Sequence, residues 1–154
     1  MFTQIRMGKD GQLFKMYKLR TMYTDAESSR GAVWASKEDP RVVRTCRWMR
    51  RSHMDELPQL FNVIKGEMSL VGPRPERPEI MDELEKHYPN IRDRLKVKPG
   101  ITGLAQVRNG YDTSVEQFRN KLEADMEYIA RRKWRSELRI MAATLTKVMD
   151  KQAH

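Results

Sequence analysis

Hydrophobic positions recur at short, regular intervals along this chain, and their spacing predicts a run of helices behind a hairpin. Phe2 to Met22 reads as two strands around a Gly8-Lys9-Asp10-Gly11 turn. Alternation in the second strand slips between Met16 and Tyr17, the mark of a bulge. Helical spacing then appears in Met54, Leu57, Leu60/Phe61 and Ile64, with Lys65-Gly66 as the stop. It returns in Ile80, Met81, Leu84 and Tyr88, ended by Pro89, and in Ile91 and Leu95. Ser114 to Gln117 forms a capping-box pattern ahead of a stripe of Val115, Phe118, Leu122 and Ile129. A last helix follows Trp134, with Leu138, Met141, Leu145 and Val148 on one side, expected to pack in the core.

Between these groups lie other kinds of segment. Thr24 to Pro40 is small and polar around Trp34 and reads as a surface loop. Arg41 to Arg51 reads as a basic helix with Val43, Cys46 and Trp48/Met49 as its apolar side. Ile101 to Val107 reads as a short strand bounded by Gly100 and Gly103. The sum is one helix-rich, mixed α/β domain over residues 1–154, with a small β-sheet built from the hairpin and the Ile101 segment.

One stretch departs from ordinary patterning. Ser52 to Pro75 reads SHMDELPQLFNVIKGEMSLVGPRP and begins with adjacent carboxylates, Asp55 and Glu56. Neighbours on a helix point about 100° apart, so the two acids serve different partners. A helix that starts near Asp55 tolerates Pro58 and places both acids at its positive end. By spacing alone, Asp55 is an N-cap and Glu56 a solvated first-turn acid. The tail of the stretch argues for more. Gly72-Pro73-Arg74-Pro75 holds Arg74 extended, because a residue before proline is pushed out of the α region. A guanidinium presented in that way suits phosphate. Asp125 falls on the stripe of Phe118, Leu122 and Ile129. Either the stripe turns to solvent there, or the acid is buried and paired with a basic group or a metal.

Composition narrows the partners. The 30 Lys+Arg against 21 Asp+Glu give a net charge of +9 and favour anionic ligands. Cys46 is the sole cysteine, so there is no disulfide framework, and a reducing compartment is expected. His53, His87 and His154 lack zinc-type spacing. No apolar run approaches the roughly 20 residues of a membrane span.

The stretch DELPQLFNVIKGEMSLVGPRP resembles the core signature of the bacterial sugar transferases, the monotopic phosphoglycosyl transferases of polyprenyl phosphate. Two more blocks match that family in order, Phe14 to Met22 (FKMYKLRTM) and Lys98 to Val107 (KPGITGLAQV). The resemblance implies transfer of a sugar-1-phosphate from a UDP-sugar to polyprenyl (undecaprenyl) phosphate, with release of UMP. It implies Asp55 as nucleophile, Glu56 as holder of Mg²⁺, Lys18, Arg74 and Arg50 on phosphate oxygens, and Asp125 within the site. The expected place is the cytoplasmic face of the bacterial inner membrane. The expected partners are the UDP-sugar, the lipid phosphate and the membrane surface, without nucleic acid, and a homodimer is compatible with the resemblance. The family's N-terminal hydrophobic segment is expected to end about where this chain opens, which leaves this stretch soluble or peripheral. Many members continue the third block as Gln-Val-Asn-Gly-Arg-Asn; here it runs Gln106-Val107-Arg108-Asn109-Gly110-Tyr111, so Arg108 is the nearest candidate for the displaced arginine. Two non-catalytic alternatives remain. A basic nucleic-acid-binding domain leaves the D-E pair and Pro-Arg-Pro without a role. The other is a membrane-peripheral interaction domain.

Overall fold

The computed structural model describes residues 1–23, 39–108 and 118–149, with no account of the side chains at 148 and 149. The hairpin forms first in sequence: β1 (Phe2–Met7) pairs antiparallel with β2 (Leu13–Lys18), Phe2 opposite Lys18 and Met7 opposite Leu13. Asp10 and Gly11 close the turn with φ of 55° and 78°. The register runs unbroken through Met16 and Tyr17, so the expected bulge is absent. Tyr17 breaks the alternation with a half-buried ring that Lys65 covers, its Nζ 4.7 Å from the ring centroid and donating to Tyr17 Oη.

A second, separate pair of strands lies beneath the site. β3 (Ser69–Val71) and β4 (Gly100–Thr102) run parallel, with Ser69 opposite Gly100 and Val71 opposite Thr102. The expected single sheet is therefore two two-stranded sheets, and the Ile101 segment pairs with β3 rather than with the hairpin. The expected strand to Val107 also stops early. It ends at Thr102, and a short helix, α4 (Leu104–Arg108), begins after Gly103. Three glycines explain the crossing. A Cβ on Gly100 would run into the Gly72 backbone, one on Gly103 into the Gly72 carbonyl, and one on Gly72 would sit 2.5 Å from the Lys98 carbonyl. Gly72 N–H donates to Thr102 O and Gly100 N–H to Pro73 O, so both backbones are bonded at the point of contact.

The basic segment is helical only in its second half. Val42 bridges Met22, and Val43 N–H donates to Thr21 O, which hold the start of the segment extended. A 3-10 turn over Arg44–Cys46 then leads into α1 (Arg47–Arg51). His53, at φ 54°, separates α1 from a second 3-10 turn, Met54–Glu56, and α2 (Gln59–Ile64) follows. The two acids thus stand in the 3-10 turn, ahead of a helix too short to give them much dipole.

Here the apolar stripe is turned outward. Met54, Leu57, Leu60, Phe61 and Ile64 are exposed, Ile64 by 82%, while Asp55, Glu56, Pro58, Gln59 and Asn62 are buried. Asn62 fixes this rotation. Its Nδ2 donates to Lys15 O (2.8 Å) and Glu67 Oε2 (2.7 Å), which ties α2 to β2.

The remaining helices enclose the main core. α3 (Pro78–His87) starts at a proline, where the missing N–H costs nothing, and a 3-10 turn over Ile91–Lys96 follows. With α5 (Phe118–Ala130) they bury Met81, Leu84, Ile91, Phe118 and Leu122 against Met7. The capping box expected before α5 lies outside the described residues. α6 (Trp134–Met149) packs through Ile140 against Val71 and Tyr128. Of the stripe expected in the core, Met141 packs there, while Leu138 and Leu145 are exposed. Polar anchors set the rotation instead: Glu137 accepts from Tyr128 Oη, and the Thr144 hydroxyl bonds that of Thr102.

Candidate active site

Three segments bring charge to one place. β2 ends at Lys18, and the next N–H, of Leu19, donates to Asp55 O, which joins the strand to the acidic turn. Glu56 receives Lys18 Nζ at 3.0 Å and Arg74 Nη2 at 2.5 Å on Oε1, and Arg74 Nη1 at 3.2 Å on Oε2. Arg74 thus meets the Glu56 carboxylate through its fork, where the sequence pointed to phosphate. Burial opposes the charge on Glu56, but Arg74 and Lys18 outweigh it and hold the carboxyl well below its usual range. Burial pulls the Lys18 ammonium down from its ordinary value, against the pull of Glu56.

Asp55 sits differently. It is buried too, yet no side chain among the described residues donates to its carboxylate. Burial, and then the charge of Glu56, push its pKa up, opposed by Lys18 and Arg50. The adjacent acids therefore divide the work that spacing left open. Glu56 is neutralised by two cations, and Asp55 keeps an acceptor without a side-chain donor among the described residues.

A second layer holds the strap. Arg94 Nε bonds Asp125 Oδ2 at 2.7 Å, with both side chains all but excluded from solvent, and Arg94 Nη2 donates to the Arg74 carbonyl at 3.0 Å. Arg6 Nη1 donates to the next carbonyl, of Pro75, at 3.0 Å. Glu76 lies between Lys121 (2.6 Å) and Arg6 (3.9 Å). Burial opposes its charge, but Lys121, Arg94 and Arg6 prevail and lower its pKa to about 2. Asp125 is thus buried and paired with a basic group beside the Arg74 backbone. It acts through Arg94 rather than at the acidic turn.

The other candidates are less central. Arg50 is half-buried on α1, and its charge bears on Asp55 and Asp39. Arg108 is exposed and pairs with Glu127, Nη2 to Oε1 at 3.1 Å. The loop after it, from Asn109, lies outside the described residues. Sequence reasoning missed Arg6, Glu76, Arg94 and Lys121. Arg94 stands in IRDRLK, a stretch that reads like any solvated charged turn. Only its partner, 31 residues away, distinguishes it.

Among the described residues no group of three or more His, Cys, Asp or Glu is placed to hold a metal. An all-protein cage is therefore not what this site offers. Mg²⁺ binds through one or two carboxylates plus substrate phosphates and water. The acidic turn fits an ion of that kind. Among the described residues, Asp55 carries an acceptor with no side-chain donor, and Glu56 Oε2 accepts only the longer arm of the Arg74 fork.

The family model for the bacterial sugar transferases matches residues 1–151. The chain is similar to a UDP-N-acetylgalactosamine-undecaprenyl-phosphate N-acetylgalactosaminephosphotransferase of Aeromonas hydrophila, 44% identical over 84% of this chain and 30% of that protein. It is similar to an undecaprenyl-phosphate glucose phosphotransferase of Komagataeibacter xylinus, 42% identical over 95% of this chain and 28% of that protein. A UDP-glucose:undecaprenyl-phosphate glucose-1-phosphate transferase of Caulobacter vibrioides is 39% identical over 97% of this chain and 56% of its own length. The chain thus spans about a third to a half of these relatives.

Proposed function

This chain belongs to the bacterial sugar transferase family, and from that premise we propose that it moves a sugar-1-phosphate from a UDP-sugar to polyprenyl phosphate at the cytoplasmic face of the membrane. The observation that carries the mechanism is the division of labour in the acidic turn, with Glu56 charge-paired and Asp55 buried without a side-chain donor. An Asp55 oxygen attacks the sugar-linked phosphorus. The bond from that phosphorus to the bridging oxygen breaks, and UMP leaves with the electron pair. An oxygen of polyprenyl phosphate then attacks the same phosphorus, and the Asp55–phosphorus bond breaks to restore the carboxylate. Arg74 and Lys18 exchange part of their contact with Glu56 for phosphate oxygens, and the Arg94 and Arg6 bonds to the strap hold Arg74 in place as they do so. Glu56 would hold Mg²⁺, which when bound would supply charge neutralisation of the diphosphate.

The lipid substrate has to be met at the membrane. No described helix is long and apolar enough to cross it. The outward stripe of Met54, Leu57, Leu60, Phe61 and Ile64 begins beside Asp55, so apolar surface and nucleophile share one turn. That placement supports docking of this face on the bilayer. The relatives' names divide between N-acetylgalactosamine and glucose, so the sugar is left to experiment.

The test is the first half-reaction. Wild-type protein given Mg²⁺ and a panel of UDP-sugars, without acceptor, is expected to gain the mass of one phosphosugar and release about one UMP per site. Asp55→Asn is expected to do neither while keeping its fold. A ternary-complex rate law, with no adduct under turnover conditions, would refute the covalent route.

A further inference from the structure

Gln59 is 1% exposed, yet its Nε2 has no hydrogen-bond partner among the described residues. Burying an amide N–H without an acceptor costs about 1–3 kcal/mol. The neighbouring turn shows that this helix can satisfy an amide. Asn62, equally buried, accepts from Tyr17 and donates to both Lys15 O and Glu67. Gln59 lies four residues after Asp55, on the same inward face. A helical side chain leans toward the N-terminus, the direction in which Asp55 lies from Gln59. Among the described residues, one buried donor without an acceptor therefore shares a face, one helical turn away, with one buried carboxylate without a side-chain donor.

We infer that Gln59 is a further substrate-contacting residue, whose amide N–H donates to a phosphoryl oxygen on the phosphorus that Asp55 attacks. This rests on the reaction proposed above. In the free protein the donor is kept dry and ready; on binding it acquires an anionic acceptor, the kind of bond that is stronger than a neutral pair. Its effect falls on the sugar-linked phosphorus and not on the UMP half of the donor substrate.

Gln59→Met keeps the length of the side chain and removes the donor. Acceptor-independent UMP release and growth of the phosphosugar adduct are expected to slow by about 10- to 100-fold. Affinity for UMP alone, read by calorimetric titration, is expected to stay at the wild-type value. The Tm is expected to hold or rise, because a buried unmet donor has gone. A purely structural glutamine would lower Tm and UMP affinity together, and that result overturns the inference. So does an unchanged rate of UMP release. If the wild type forms no adduct with any UDP-sugar yet turns over with acceptor, the covalent route has failed by itself. Steady-state turnover of Gln59→Met then decides for Gln59, a fall supporting the contact and no change overturning it.

Discussion

Removal of Asp125 should be among the costliest single changes in this protein. Arg94 and Asp125 have side chains only 2% and 1% exposed, joined at 2.7 Å. Asp125→Leu leaves the guanidinium buried with the Arg74 carbonyl (3.0 Å), the face of Phe118 (5.2 Å) and the unbonded charge of Glu76. Breaking one side of such a pair costs about 3–5 kcal/mol, since the remaining charge is unsolvated and has lost its hydrogen-bonded partner. For a domain of this size that corresponds to a fall in Tm of roughly 6–20 °C. The double variant Asp125→Leu/Arg94→Met removes both charges and should regain most of the loss, because an apolar pair of similar volume serves a buried site as well. Turnover should not return with it. The Arg74 carbonyl has lost its donor, Arg6 is the one side chain of the two still bonded to the strap, and a deficit of about tenfold is expected to persist. Differential scanning calorimetry and UMP release on the three proteins decide the matter. A single variant within about 2 °C of wild type would refute the reasoning. So would a double variant no more stable than the single.

Three further outcomes follow from the same geometry. Arg74→Lys keeps the charge but cannot span both oxygens of Glu56, so UMP release should fall by about 10- to 100-fold with little change in Tm; near wild-type kinetics would return Arg74 to a structural role. Glu76 has a folded pKa of about 2 against its ordinary 4.5, so its contribution of about 3 kcal/mol is complete above pH 4.5 and is lost as pH falls toward 2; in acid titration of stability, Glu76→Gln should flatten that limb, and an unaltered slope would contradict the assignment. Leu57→Ser with Phe61→Ser should weaken binding to liposomes and slow turnover with polyprenyl phosphate while leaving acceptor-independent UMP release intact; equal loss of both activities would place these residues in the fold and not at the lipid.

Much of the architecture was readable because hydrophobic period reports element type directly. The hairpin, α3, α5 and α6 follow from it. Period does not report which way a stripe faces. The apolar face of α2 was visible in sequence, but its outward direction is imposed by Asn62, whose bonds to Lys15 and Glu67 depend on tertiary placement. β3 and β4, three residues each, are too short for alternation to register. In the site, Asp55, Glu56 and Arg74 stood out because adjacent acids and Pro-Arg-Pro are locally unusual. Arg94, Glu76 and Lys121 are ordinary charged residues in ordinary charged stretches. What sets them apart is burial and a distant partner, neither of which a linear pattern contains.

The strap behind Arg74 also bears on time. Its two carbonyls are held from opposite directions along the chain, by Arg6 across 69 residues and by Arg94 across 20, and Glu76 beside it waits for Lys121 across 45 more. None of these closures is local, and long loops close late because their entropy must be overcome before any contact compensates it. During synthesis the acidic turn and the strap leave the ribosome well before α5 does. A nascent chain that already carries Asp55, Glu56 and Arg74 therefore lacks the buried pairs that set their positions, and catalytic competence should arrive as one of the last events of folding.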